Sequence, residues 1–139
     1  MYFDTEVRVR YSETDQMGIV YHSNYFPWFE EARTGFFETM GLSYRELEEQ
    51  GYFLPLIECN CKFIAPAKYA DRLIIRARLR EMKGIKMTLA YEAFRKADNM
   101  LLATGWTSHA FVNREMRPVK MPANVRSLLQ GCLESPSVD

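Results

Sequence analysis

The chain has 139 residues, the length of a single domain at ~150 residues per domain, here read as spanning residues 1–139. Hydrophobic residues make up 47% and aromatics 14%, enough apolar surface for one packed core, which excludes a disordered chain. Lys+Arg and Asp+Glu number 18 each, so the formal charge is zero and the basic surplus of a nucleic-acid or membrane-surface binder is missing.

Three cysteines, Cys59, Cys61 and Cys132, are too few and too uneven for a disulfide framework. A reducing, cytoplasmic setting is expected. The opening residues carry no basic segment followed by an apolar run, so no signal peptide is expected. No stretch reaches the ~20 apolar residues of a membrane span.

In chain order, Val7, Val9 and Tyr11 alternate with Arg8 and Arg10, which predicts a half-buried strand over 5–11. A polar, glycine-bearing stretch, Ser12 to Gly18, fits neither period. Tyr25, Phe29, Ala32, Phe36 and Met40 then fall at helical spacing, with Phe26, Trp28 and Phe37 widening the apolar arc. Asn24 is the expected N-cap, Pro27 suits the first turn, and Gly41 is a natural stop. A helix so aromatic must be wrapped by something.

Ser43 opens a short helix to Gln50, with Glu46 three residues on. Beyond Gly51 the period returns to two. Ile57, Cys59, Cys61 and Phe63 form one strand face, and Pro66 closes that strand. Ile75, Ala77 and Leu79, then Met87, Leu89, Tyr91 and Ala93, mark two more strands. Lys83-Gly84 and Ala97-Asp98-Asn99 read as hairpin turns. Residues 101–113 form a last strand, apolar on both faces and hence central. A helix near 122–133 and a polar tail finish the chain. Short connections make neighbouring strands antiparallel, so the fold class is α+β, one long helix against one antiparallel sheet.

Dinucleotide, P-loop, zinc-protease and nucleophile-elbow motifs are all missing from the sequence. Cys59 and Cys61 lack a matching second pair, so they read as small core residues and no metal site is expected. The informative segment is Tyr11-Ser-Glu-Thr-Asp15-Gln-Met-Gly18-Ile-Val-Tyr-His22-Ser-Asn24-Tyr25. It runs from a strand end through a loop with an acid to a helix start, whose unpaired N–H groups can hold a polarised carbonyl oxygen. Asp15 could face the same carbonyl carbon. On spacing alone the plainer alternative stands beside it: Asp15 caps a turn and His22 packs near the helix.

The segment resembles the signature of the hotdog-fold acyl-CoA thioesterases, in the 4-hydroxybenzoyl-CoA thioesterase class and its YbgC-like branch. The resemblance rests on Tyr11, Glu13-Thr14-Asp15, Gly18, Val20-Tyr21-His22, Asn24-Tyr25, Glu31-Ala32-Arg33 and Phe63-Ile-Ala-Pro66-Ala67. It implies a hotdog fold, the sheet wrapping the long helix, over roughly residues 5–133. It implies Asp15 as catalytic carboxylate, the His22 backbone N–H as oxyanion donor, and Tyr11 and the His22 ring as polar neighbours of the acid. Glu31, near a helix position where another hotdog branch keeps its acid, reads as structural. Gln16-Met17 are bulkier than the residues often following the aspartate, which bears on acyl-pocket shape.

Substrate contacts follow from the same resemblance. Tyr25, with Phe26, Trp28 and Phe29, would line an acyl pocket or belong to the core. Coenzyme A enters only as part of the substrate, with no separate cofactor. Among the lysines, Lys62 and Lys68 included, the Lys83-Gly84-Ile-Lys86 turn is the first choice for its phosphates, a solvated turn being the plainer alternative. Arg76, Arg78 and Arg80 read as an outer sheet face. The expected partners are an acyl-CoA, an acyl carrier protein as second carrier, and a copy of the chain in a homodimer or homotetramer whose active site uses both chains. Two other functions stay open: an acyl-CoA or acyl-carrier-protein binding module without turnover, and a hotdog hydratase or dehydratase.

Overall fold

A computed structural model describes residues 1–133; the expected polar tail lies outside them. Five strands, β1 (Tyr2–Arg8), β2 (Leu56–Phe63), β3 (Arg72–Lys83), β4 (Lys86–Arg95) and β5 (Met100–Ala110), form one sheet in the order β1-β3-β4-β5-β2. Every pairing is antiparallel. The helices are α1 (Tyr25–Thr39), α2 (Tyr44–Glu49) and α3 (Ala123–Cys132), and single 3-10 turns cover Tyr11–Glu13 and His22–Asn24.

The predicted helical stripe is the one buried. Tyr25, Trp28, Phe29, Ala32, Phe36 and Phe37 of α1 face Leu73, Ile75, Ala77 and Leu79 of β3 and Leu89, Tyr91 and Ala93 of β4 in one core cluster. Phe29 stacks on Tyr91 with ring centroids 4.5 Å apart and planes 6° apart. On β5, Gly105 pairs with Tyr91 and leaves the space that the Phe29 ring fills.

Two of the three breaks between strands fall where the sequence puts them. The β3–β4 turn holds Gly84 at φ +61° and the β4–β5 turn holds Asn99 at φ +59°, left-handed conformations that suit these residues. The first strand differs. It spans Tyr2–Arg8 rather than 5–11, because the Glu13 carboxylate accepts the Arg10 N–H at 2.7 Å and turns the chain out of the sheet. Tyr11 is consequently 78% exposed instead of continuing the inward face. β5 lies between β4 and β2, as its two-faced apolarity requires, while β2 is an edge with solvent on both sides.

The arginine stripe lies on the outer face of β3 and is occupied there. Arg76 makes a bidentate pair with Asp4 of β1 (2.8 and 3.0 Å), Arg78 pairs with Glu92 of β4, and Arg80 lies over the Trp106 ring.

A methyl group at Gly105 would meet the Asn60 carbonyl oxygen and the Phe29 ring, both at 2.6 Å. Gly105→Ala is therefore expected to destabilise the protein by ~1–3 kcal/mol, the usual cost of overpacking. Urea unfolding monitored by circular dichroism checks it.

Candidate active site

Residues 14–20 fold as a miniature hairpin ahead of α1. Thr14 bridges Val20, the Asp15 N–H donates to the Ile19 carbonyl at 2.9 Å, and the Gly18 N–H returns to the Asp15 carbonyl at 2.9 Å. Gly18 sits at φ +78°, which closes the turn without side-chain strain. Asp15 Oδ1 accepts the Met17 N–H at 2.9 Å, an Asx turn that orients the carboxylate. The turn-cap reading of Asp15 is thus correct as far as one oxygen goes. The other oxygen has no hydrogen-bond partner among the described residues.

A second wall comes from the β2–β3 connection. Ile19 bridges Lys68 and the Val20 N–H donates to the Ala67 carbonyl at 2.9 Å. Arg95 of β4 donates to the Pro66 carbonyl at 2.8 Å and Asp71 accepts the Lys68 N–H at 2.9 Å, so this wall is pinned from behind. Between the two walls lies a cavity of about 370 Å³ lined by Asp15, Met17, Val20, His22, Tyr25, Phe63 and Pro66, among others. Its lining is largely apolar, with Asp15 as the one carboxylate.

His22 opens the helical segment, so no preceding carbonyl of that segment is in position to accept its backbone N–H. Among the described residues no other acceptor takes it up. The His22 ring is exposed and packs on Tyr21 (4.2 Å) and more loosely on Phe63 (6.1 Å). Tyr25 is buried in the cavity floor against Trp28 and Phe63, and burial pushes its phenol up to about 12.

The structure therefore brings Asp15, His22 and Tyr25 to one cavity. Tyr11 belongs to the same loop, but its ring points outward and packs edge-on against Tyr69. Within the chain, Lys83, Gly84 and Lys86 are not near Asp15. They sit at the opposite end of β3, whose twelve residues at ~3.3 Å each span nearly 40 Å. There Gly84 and Ile85 share a hollow with Lys120 and Arg126, two cations at that end which the motif reading did not single out. Glu31 faces a separate hollow with Arg8 and Arg10. The Phe63-to-Ala67 segment, taken from sequence only as part of a family pattern, turns out to be a cavity wall.

Two further places in the fold gather polar side chains away from Asp15. A larger hollow of about 450 Å³ lies beside α1 between Arg33, Tyr44 and Phe53, with Glu30 and Glu48 in its lining; none of the Asp15–Tyr25 segment lines it. Cys59 and Cys61 lie on one face of β2, and among the described residues no three His, Cys, Asp or Glu side chains converge as metal ligands. His109 is in the core, 1% exposed, with Nε2 3.0 Å from Thr107 Oγ1 and Nδ1 3.3 Å from the Leu54 carbonyl.

The comparisons with known proteins give the family and the fold. The chain matches the model of the thioesterase-like superfamily over residues 9–129. It is 32% identical over 116 residues to YneP of Bacillus subtilis, provisionally named an acyl-CoA thioesterase, with 83% of each chain covered. It is 31% identical over 127 residues to the acyl-CoA thioesterase YbgC of Haemophilus influenzae, covering 90% of this chain and 92% of that one. The solved structure of the hypothetical protein TT1821 from Thermus thermophilus superposes with a TM-score of 0.89 at 35% identity, over 97% of this chain and 100% of that one. Fold and cavity together define a hotdog-fold thioester hydrolase. The chain belongs to the thioesterase-like superfamily, in keeping with the YbgC-like resemblance of its Asp15 segment.

Burial, and secondarily the Arg33 charge, push the His109 imidazole down from 6.5 to about 4. The unfolded chain then binds a proton between those values that the folded chain refuses. Stability is expected to fall as pH drops from 6.5 towards 4, by up to roughly 3 kcal/mol from this group. His109→Gln should flatten that part of the curve, read as melting temperature against pH.

Proposed function

We propose that the chain hydrolyses an acyl-CoA thioester to the free acid and CoA. The observation that supports this is one largely apolar cavity lined by both Asp15, whose turn uses a single carboxylate oxygen, and His22, whose backbone N–H has no acceptor among the described residues. A thioester carbonyl oxygen seated on that N–H is polarised, and charge developing on it in the transition state is stabilised. Asp15 then acts on the carbonyl carbon by one of two routes. As nucleophile it forms a mixed anhydride, the C–S bond breaks, CoA leaves as a thiolate that takes a proton from water, and water later opens the anhydride. As general base it takes the proton of a water that attacks the carbonyl carbon directly; the tetrahedral intermediate collapses with cleavage of the C–S bond, and the CoA thiolate takes a proton as it leaves. Heavy-oxygen water in a single turnover separates the routes, since label retained on Asp15 and absent from the acid reports direct attack.

The same cavity supports a short aliphatic or aromatic acyl group. Its walls are close and bulky, Met17 on one side and Phe63 with Pro66 on the other. The His22 ring is read as a polar neighbour at the mouth, whereas the Tyr11 ring turns away towards Tyr69 and does not line the cavity. An acyl carrier protein could present the same thioester, and cytoplasmic location accords with three free cysteines. No helix among the described residues is long and apolar enough to cross a membrane.

Homodimerisation through β2 completes the reading. Leu56 of β2 pairs with His109 and Phe63 with Ala103, so β2 begins at the Lys83–Lys86 end and finishes at the Asp15 end. Antiparallel pairing of two β2 edges would bring the partner's basic hairpin to the Asp15 end of this chain. Lys83, Gly84 and Lys86, joined by Lys120 and Arg126, then become candidates for the CoA phosphates of the neighbouring site. Sedimentation should give a particle of two or four chains, and Cys61→Pro, which removes a β2 backbone N–H, should disturb that assembly if the edge is the contact.

Asp15→Asn tests the chemistry at one atom. The amide oxygen can still accept the Met17 N–H, so folding is retained, while the charge needed for attack or base catalysis is gone. Thiol release across a panel of acyl-CoAs should fall at least ~10²-fold with melting temperature little changed. Turnover near the parent level in the folded variant would end the Asp15 mechanism. Acyl-CoA binding without thiol release in the parent would favour a binding module, and a changed acyl double bond a hydratase.

A further inference from the structure

The Asp15 hairpin has to be held against the start of α1, and one side chain links the two. The sequence suggests Asn24 as an N-cap, but the structure shows no capping bond from its side chain. Instead Asn24 Nδ2 donates to the Glu13 carbonyl at 2.9 Å and to the Tyr21 carbonyl at 3.1 Å. The atom facing two carbonyl oxygens must be the amide nitrogen, and its two hydrogens match the two acceptors. Glu13 and Tyr21 are the residues where the loop enters and leaves the Asp15 hairpin, and the Tyr21 N–H closes the same neck by donating to the Glu13 carbonyl at 2.8 Å. Below the neck, the buried Glu13 carboxylate is fixed by the Arg10 N–H at 2.7 Å.

We propose that Asn24 is a positioning residue for the Asp15 reaction: its amide clamps the neck of the loop and so fixes the Asp15 carboxylate relative to the His22 N–H. The inference rests on the catalytic reading of Asp15. His22 lies one residue beyond Tyr21, and Asp15 two beyond Glu13, so both reacting groups hang directly from the clamped carbonyls. A side chain without paired donors cannot replace it. Aspartate in the same place has the shape but sets a negative charge against two carbonyl oxygens, and alanine removes both side-chain donors, leaving the neck to its backbone bonds alone.

The test compares Asn24→Asp and Asn24→Ala in the parent protein and in Asp15→Asn. It reads thiol release from a short-chain acyl-CoA, melting temperature, and deuterium uptake by the segment 11–24. In the parent, kcat is expected to fall at least ~10-fold, within the reach of a sub-ångström misplacement, with KM changed less than ~3-fold. Uptake in the segment should rise while the sheet stays protected. In Asp15→Asn, adding Asn24→Ala should cost less than ~2-fold, because groups acting as a unit are not additive. The full loss appearing again in that background would make Asn24 merely structural and overturn the proposal. So would unchanged kcat or unchanged uptake with either substitution. Asp15→Asn retaining full turnover would overturn the Asp15 reading itself, an outcome distinct from an Asn24 substitution that fails to act while Asp15→Asn is dead.

Discussion

Everything in this fold depends on seating one aromatic helix against one sheet. α1 is too apolar to leave in water, and the stack of Phe29 on Tyr91 sets how it lies on the strands. Gly105 permits that approach, since any side chain on the strand opposite would strike the Phe29 ring. Once the helix is seated, its first turn has nowhere else to go. Tyr25 packs on Phe63 at the end of β2, which brings the N–H groups of the helix start beside the β2–β3 connection. The position of the His22 N–H is therefore a consequence of core packing two turns away.

Onto this fixed point the loop adds one carboxylate with divided duties. Asp15 builds its own turn with one oxygen and lines a largely apolar cavity. The arrangement needs the backbone around it to be rigid, and backbone bonds supply this: the pairings Thr14–Val20 and Ile19–Lys68 tie the hairpin to the opposite wall. Arg95 extends the restraint to the far side, where it engages Pro66, Asp71 and Asp98 together. On the proposed reading of Asp15, stability and reactivity share the same short contacts, which is why a change here must be read in both turnover and melting temperature.

Much of this could be read from the residues. Period 3.6 from Tyr25 to Phe37 and period two in β3 and β4 describe the two sides of the core, and glycine or asparagine marks two hairpin turns. The first strand was displaced by three residues because Tyr11 keeps the alternating pattern while a side chain, Glu13, takes the Arg10 N–H out of the ladder. Such a bond leaves no periodic trace. Asn24 has the composition of a cap, and only the fold shows its amide turned back to Glu13 and Tyr21. The Lys83 turn was legible as a turn, but its distance from Asp15 follows from strand order, which short connections leave undetermined.

The two edges of the sheet are not equivalent, and the difference bears on assembly. Along β1, Asp4 is held by Arg76 and Glu6 by Arg72 and Lys96, all from inner strands, so the edge carries charges already committed. Charged, self-satisfied edges resist further pairing. Along β2 large apolar side chains are exposed beside Glu58 and Lys62, with Leu56 at 52%, Ile57 at 54% and Phe63 at 52% exposure. Ile64, next in the chain, is 49% exposed and lines the Asp15 cavity together with Phe63. An edge with open backbone groups and uncovered apolar side chains asks for another strand. In the proposed dimer a second copy of β2 meets both needs at once. It would also shelter the open side of the cavity, so that the apolar surroundings an oxyanion needs and the partner an edge strand needs come from the same contact.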